Sequence, residues 1–365
     1  MKSKKIMFYI SSLAKAGAQR VIINLTESLL AKGHQVTIVT TAIVENEYEL
    51  PNGAERIISD IQDGEITSNR IANLKNRYLK LRNIWKAEQP DVIISFIGKN
   101  NFMAILTAWG LNIPVVTSVR GDPKEEYYNK LTKILAKTLM GKSAGIVLQT
   151  PDARDYFPKW MHKKAIILNN PLNPAFIGEY YEGEREEEIV SVGRIDSNKN
   201  QKLIIDAFYK IANEVPETKL ILYGDGEDRE KLMDYVKRGP YAERIFFPGA
   251  VSNVKERIQK SKLFVLSSNT EGMPNALMEA LALGIPCVST DCPCGGPRML
   301  MEGKENGILV PVGDVDTMAE AMRTILKDEE LWLKYSKNAY KITEELKPSI
   351  INDKWEQYLY SIMRN

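Results

Sequence analysis

The chain has 365 residues, 44% of them hydrophobic and 26% charged, enough for one or two soluble globular domains. No run of about 18 apolar residues occurs, which argues against a membrane-spanning helix, and three cysteines confined to positions 287, 292 and 294 make no disulfide framework. The net charge of +2 hides an asymmetry: residues 1–173 carry 24 Lys and Arg against 15 Asp and Glu, residues 174–365 carry 25 against 32, which points to two domains with different partners.

The N-terminal MKSKKIMFYISS is too short in its apolar part for a signal-peptide core and reads as a first strand at 5–10. A small-residue loop, SSLAKAGAQ, leads to a helix predicted over 20–32 with Val21, Leu25 and Leu29 on one face. Gly33 stops it before a strand at 34–41. Ala16 and Gly17 thus fall at a strand-to-helix turn. There a glycine either lets the backbone approach a phosphate at a helix N-terminus or simply makes a tight turn. A long helix is predicted over 69–89 with Ile71, Leu74, Tyr78, Leu81, Ile84 and Trp85 on its apolar side and Arg70, Lys75, Arg77, Lys80, Arg82 and Lys86 between them. Such a helix lies on an anionic membrane surface or packs on a core with a solvated basic face. Strands follow at 91–96, 115–118 and 145–149. Arg120-Gly121-Asp122 comes just after the fourth predicted strand, as a substrate contact or a salt-bridged turn. The 130–142 segment repeats the basic amphipathic pattern.

NNPLNP at 169–174 is the best linker, since two prolines and three asparagines break helix and strand alike. Beyond it runs a second alternation: strand 189–192, helix 201–212, strand 219–223, helix 228–236, strand 245–247 and helix 253–259. Next comes LFVLSSNTEGMPNALMEALALGIPCVSTDCPCGGP, a tight strand–helix–strand unit with Pro274 suited to the first helical position and Gly284 to the left-handed position after the helix. Two further helices are expected at 317–326 and 331–343. Two alternating β/α series imply two parallel sheets, each offering ligands its strand C-termini.

Chemistry gathers in the second series. Glu271 sits at a loop tip after a strand, and Glu279 lies eight residues on, on an apolar helix where a carboxylate is costly unless hydrogen-bonded. Arg194 and Lys199 in VGRIDSNKN follow a strand directly. They suit the oxygens of a diphosphate leaving group, or form a surface charge pair. The GDG at 224–226 is a weak dinucleotide signal. No metal-ligand cluster stands out, and Cys292 and Cys294 lack a nearby His or second Cys pair.

Taken together, AGAQRVIINLTESLLAKGHQV, VGRIDSNKN, LYGDGEDREKL, FPGAV and EGMPNALMEALALGIPCVSTD resemble, in order and spacing, the retaining glycosyltransferases of family 4. The CPCGGPRML continuation is similar to members that build bacterial surface polysaccharides or lipid-linked oligosaccharides. The resemblance implies an α/β GT-B fold, two Rossmann-like parallel-sheet domains facing each other across a cleft. An acceptor-side domain would span 1–173 and a nucleotide-sugar domain 174–349, with a last helix at 350–365 returning to the first.

By the same resemblance Glu271 contacts the transferred sugar, Arg194 and Lys199 hold the donor diphosphate, and Glu279 grips the ribose. Ala16, Gly17, Gly193, Gly224, Val251, Gly272, Met273, Pro274, Asn275, Ala276 and Leu277 would line the donor, with Val251 at the nucleobase. Arg120 stands where many members carry a catalytic-side His, which makes it the acceptor-side candidate. The implied reaction moves a hexose or N-acetylhexosamine from a UDP-sugar to a glycan or polyprenyl-diphosphate-linked acceptor, with no cofactor and no divalent metal. It would occur in the cytoplasm, on the inner membrane face through the basic helices at 69–89 and 130–142, and without a nucleic-acid partner. A nucleotide-sugar epimerase or hydrolase on the same fold, or an inactive partner subunit, is the alternative. The first needs acids and histidines that a chain with two His lacks, and the second is opposed by the intact Glu271, Glu279, Arg194 and Lys199.

Overall fold

The computed structural model describes residues 2–61 and 66–363, so the last two positions of the expected 350–365 helix lie outside the described residues. The chain divides into two compact units, Met1–Pro171 with Pro348–Asn365, and Leu172–Lys347.

Among the described residues the first unit holds seven strands: β1 (Lys5–Ile10), β2 (Gln35–Thr40), β3 (Glu55–Ile58), β4 (Val92–Phe96), β5 (Val115–Ser118), β6 (Gly145–Leu148) and β7 (Ala165–Ile167). They pair in the order β3-β2-β1-β4-β5-β6-β7, all parallel. Continuous apolar runs such as Ile6–Ile10 are buried, as strands covered on both faces require. β3 escapes the sequence pattern because ERII is short, half-polar and lies at the sheet edge. Its presence makes the strand before Arg120 the fifth.

Helix α1 (Gly17–Ala31) begins three residues earlier than its apolar face suggests, with extended Ala16 as a cap that offers no side chain. Helix α2 (Arg70–Glu88) buries only Leu81 and Trp85; Ile71 and Leu74 are 80% and 58% exposed. The predicted apolar face therefore packs only at its C-terminal end. Part of the basic face is structural instead. Arg77 pairs with Asp60 at 2.6 Å, Arg82 donates to the Thr107 and Trp109 carbonyls, and Lys80 donates to the Asp60 carbonyl. Next come α3 (Gly98–Ala108), α4 (Pro123–Glu126) and α5 (Lys130–Thr138). The basic segment predicted to run to 142 ends as a separate 3-10 turn, Met140–Lys142. The Trp160 ring lies 2.1 Å from where a Gly141 Cβ would stand, so no side chain fits there.

Helix Pro348–Met363 also belongs to the first unit. Fully buried Trp355 stacks on Phe96, ring centroids 6.1 Å apart. Lys32 reaches Asp353 and Glu356, both at 2.5 Å. His34 accepts the Lys4 N–H at Nδ1, so its Nε2 donates to Glu356 at 3.1 Å. His34 is thus a structural residue. The 169–174 stretch is not a loose connector, because Asn170 and Leu172 are buried and the Leu172 N–H donates to the Leu346 carbonyl at 2.9 Å.

The second unit's described residues form β8 (Glu186–Val192), β9 (Lys219–Tyr223), β10 (Ile245–Gly249), β11 (Ser261–Leu266), β12 (Cys287–Thr290) and β13 (Gly307–Val310). Their order is β10-β9-β8-β11-β12-β13, again all parallel. Helices Gln201–Ile211 and Val315–Lys327 supply much of the core, with Phe208, Ile211, Met318, Met322 and Ile325 buried. Strand order reverses between β1 and β4 in one sheet and between β8 and β11 in the other. Parallel sheets open a ligand crevice at the carboxyl ends of such strand pairs.

Candidate active site

The β8/β11 reversal brings Lys199 and Glu271 together from segments 72 residues apart. Lys199 Nζ lies 2.5 Å from Glu271 Oε1, and Ser268 Oγ donates to the same oxygen at 2.6 Å. The two loops are laced along their length: the Asn269 N–H donates to the Asn198 carbonyl, Thr270 N–H and Oγ1 to Asn198 Oδ1, and Ser267 Oγ to the Lys199 carbonyl. Asp196 accepts the Lys199 N–H at 2.9 Å and pairs with Arg194 Nη2 at 3.2 Å. The Arg194 side chain is 78% exposed. Lys199 is therefore fixed beside a carboxylate, while Arg194 is an exposed cation at the surface.

From behind, the CPCGGP segment grips Glu271. The Glu271 N–H donates to the Pro293 carbonyl at 2.6 Å and the Cys294 N–H to the Glu271 carbonyl at 2.9 Å. A Cβ on Gly296 would sit 1.6 Å from the Gly272 carbonyl oxygen, so this contact demands glycine. All three cysteines are buried, and none is in a disulfide among the described residues. Burial, with the Glu271 charge adding to it, pushes the Cys292 thiol up to about 12, so it is an inert packing group.

Pro274 precedes helix Asn275–Ala282 as its cap rather than opening it, and gives no side-chain cap bond. The first-turn N–H groups of a helix have no partner within it, and with the helix dipole they form an anion site. Gly272, Met273 and Pro274 are buried, Asn275 and Ala276 half-buried, and Leu277 fully buried. Glu279 is 7% exposed on this same helix. The GDG glycines lie in close backbone contacts. A Cβ on Gly224 would meet the Gly193 carbonyl at 1.8 Å, and one on Gly226 the Ile195 carbonyl at 2.2 Å. Those close approaches zip the ends of β8 and β9 together, with the Gly193 N–H on the Tyr223 carbonyl and the Ile195 N–H on the Asp225 carbonyl. Val251 is half-buried just past β10.

In the first unit, Ala16 and Gly17 stand at the N-terminus of the 15-residue α1. The loop before them is held by Glu47, unforeseen from sequence, which accepts the Leu13 and Val44 N–H groups at 3.1 Å and pairs with Arg56 at 2.6 Å. The Arg56 hydrogen bond, reinforced by those amides, lowers the Glu47 carboxyl to about 2.

Arg120 lies past β5. Its guanidinium donates to Asn170 Oδ1 and Ser118 Oγ and stands 5.6 Å above the Phe96 ring. Gln149 Nε2 shares the Asn170 oxygen at 2.8 Å. Burial pulls the Arg120 pKa down to about 9. Glu126, Asn170 and Gln149 were not legible as site residues. Asp122 caps the short α4 by accepting the Lys124 N–H at 2.8 Å.

Known proteins match along the chain. The model for "Glycosyl transferases group 1" matches residues 175–342 and that for "Glycosyltransferase Family 4" residues 16–176. An α-1,4-N-acetyl-D-galactosaminyltransferase of Campylobacter jejuni, named for a GalNAc- and diNAcBac-PP-undecaprenol acceptor, is 26% identical over 96% of this chain and 97% of its own. A second enzyme of that organism, an N-acetylgalactosamine-N,N'-diacetylbacillosaminyl-diphospho-undecaprenol 4-alpha-N-acetylgalactosaminyltransferase, is 25% identical over 92% and 94%. Among solved structures, Anabaena HepE in complex with UDP and glucose superposes with a TM-score of 0.81 at 16% identity, over 98% of this chain and 100% of that one. A Rickettsia africae glycosyltransferase gives 0.82 at 14% identity over the full length of both.

Proposed function

Because the chain belongs to the group 1 and family 4 glycosyltransferases and has their GT-B fold, we propose that it transfers a hexose or N-acetylhexosamine from a UDP-sugar to a polyprenyl-diphosphate-linked glycan of the bacterial surface, with retention of configuration. The observation that carries the reading is the Lys199–Glu271 pair at the β8/β11 reversal, with buried Glu279 on the helix that follows. Lys199 and the exposed Arg194 supply positive charge to the departing diphosphate, aided by the amides at the start of helix Asn275–Ala282. Glu271 meets the transferred sugar as positive charge grows at its anomeric carbon. Glu279 takes the ribose diol. Attack from the front face, with the donor phosphate drawing off the acceptor proton, completes the proposal. Long-chain acceptors named for the Campylobacter relatives support the lipid-linked class, and UDP in the HepE structure supports the donor.

The same reading places the first unit on an anionic membrane surface. Beside exposed Ile71 and Leu74 lie Arg70 and Lys75, and on α5 exposed Leu131 and Ile134 lie beside Lys130 and Lys133. No helix among the described residues is long and apolar enough to cross a membrane.

The test is incubation with a panel of radiolabelled UDP- and GDP-sugars and undecaprenyl-diphosphate-linked saccharides. Transfer of label to the lipid phase from one UDP-sugar is expected. Failure to consume any donor overturns the reading, and conversion of a donor to its epimer without transfer establishes the isomerase alternative.

A further inference from the structure

The chain turns sharply where β4 passes into α3. Ile97, a β-branched residue, has φ +70° and Gly98 follows at +50°, a combination that surrounding contacts must enforce. The enforcing group is Glu126, whose Oε1 accepts the Gly98 N–H at 2.5 Å. The same carboxylate also faces the backbone N–H of Arg120. One side chain, from α4, thus joins the ends of β4 and β5. Beyond that joint the Arg120 guanidinium is aimed by Phe96, Ser118 and Asn170, yet its buried Nε meets no partner. Orphaned buried donors of this kind are rare in folded proteins and call for a ligand or a job.

We propose that Glu126 is a positioning residue for glycosyl transfer: it ties the Ile97–Gly98 turn to the Arg120 segment and so fixes the direction of the Arg120 guanidinium. The inference rests on the reading of the first unit as the acceptor side. Burial raises the Glu126 carboxyl to about 7 despite the two amides and the Arg120 charge, so the tether loosens on protonation in the neutral range. The ionisable groups facing it are Arg120 and the Tyr127 hydroxyl; beyond Tyr127 lie Tyr156, with Lys137 4.9 Å above its ring, and Asp122. Arg120 at about 9 and Tyr127, well above its ordinary value, stay in one state between pH 6 and 8. A transition near 7 therefore reports Glu126.

Two measurements on the full chain decide this. The first is amide exchange of the 96–100 and 119–121 peptides at pH 6 and pH 8, corrected for intrinsic rates. Wild-type protection should fall about tenfold at the lower pH, since one unit below the pKa leaves about one-tenth of the carboxylate. In Glu126→Gln protection should not change with pH. The second is turnover from pH 6 to 8.5 at saturating donor and acceptor, beside UDP calorimetry. Wild-type turnover should drop below pH 7. Glu126→Gln should lose about tenfold at pH 8, show no limb near 7, and keep wild-type UDP affinity and melting temperature. Exchange that is independent of pH in the wild type overturns the tether. A Glu126→Gln enzyme with unchanged turnover and the same limb overturns the positioning role, as does a parallel loss of melting temperature and UDP affinity. Absence of transfer by the wild type sinks the functional reading alone, because exchange still judges the tether.

Discussion

Replacing Glu271 by Gln keeps an oxygen for both Lys199 and Ser268 but removes the charge they share. The structure gives that oxygen a 2.5 Å contact with Lys199 Nζ and a 2.6 Å contact with Ser268 Oγ, with both members of the ion pair mostly buried. Hydrogen bonds to charged groups contribute about 1 kcal/mol more than neutral ones, so the two contacts together lose about 2 kcal/mol. Partial solvent contact and the backbone grip from Pro293 and Cys294 reduce this to about 1 kcal/mol, a melting shift of roughly 2–4 °C for a unit of this size. Lys199 is meanwhile released toward the diphosphate, so UDP affinity should hold or tighten. Turnover at saturating donor should fall on the order of a hundredfold, the loss typical of one preorganised transition-state group. Glu279→Gln should show the reverse pattern. The proposed bond to the ribose would be made equally in ground and transition states, so its removal should weaken UDP binding by about tenfold or more with a smaller change in kcat. Calorimetry with UDP and single-turnover assays on both variants test the division. Weakened UDP binding in Glu271→Gln with binding intact in Glu279→Gln would refute it.

Turnover should survive EDTA, because Lys199 and Arg194 bring the positive charge a divalent ion would supply; loss of activity that magnesium or manganese restores contradicts this. Ile71→Ser with Leu74→Ser should abolish sedimentation with anionic vesicles while leaving activity on a short water-soluble acceptor. Equal sedimentation would leave α2 as an ordinary surface helix. Arg77, Lys80 and Arg82 stay unchanged in this test, since they bind Asp60 and the Thr107 and Trp109 carbonyls within the first unit. Acid should release the loop before Gly17. The Glu47 carboxyl is lowered from 4.5 to about 2, so its stabilisation is complete above pH 4.5 and disappears as pH falls through 2. The shift corresponds to about 3 kcal/mol, or about 1–2 kcal/mol after solvent screening. Acid melting of Glu47→Gln should show a shallower loss across that window, and an unchanged profile would remove Glu47 from this role.

Much of this architecture was legible because long parallel strands write themselves as apolar runs. MFYI, VIIS and FVL are continuous, and helices between them carry a clear period. β3 was not legible, since ERII has neither run nor alternation and exists only because β2 offers it an edge. How far α2 buries its apolar side was not legible for a related reason: periodicity marks where a helix could bury residues, while tertiary neighbours decide how far the burial extends. In the site, Glu271, Glu279, Arg194 and Lys199 stood out by following strands or by sitting on an apolar helix. Glu47 and Glu126 gave no such signal. Each acts by turning back onto amides far away in sequence, Leu13 and Gly98, and no local pattern encodes that reach.

Three glutamates at the strand ends show how environment divides one side chain into different tasks. Glu47 meets a guanidinium and two amides, so its charge is permanent and it serves as a fixed peg for the α1 loop. Glu126 meets two amides but no direct cationic partner, so burial wins and its charge is conditional near neutrality. Glu271 meets an ammonium that its own ligand would also claim, so its partner is exchangeable. A peg suits a loop that must never move, and a conditional tether suits a segment whose order can vary with protonation. In the proposed reaction, an exchangeable pair suits a group that would hand its cation to a diphosphate and then face a positive sugar carbon. Of the three, Glu271 stands at the β8/β11 reversal, where parallel sheets open a crevice, while Glu126 holds the turn after β4 and Glu47 the loop after β1. The chemistry is thus placed by topology and tuned by the number of amides, cations and apolar neighbours that each carboxylate finds there.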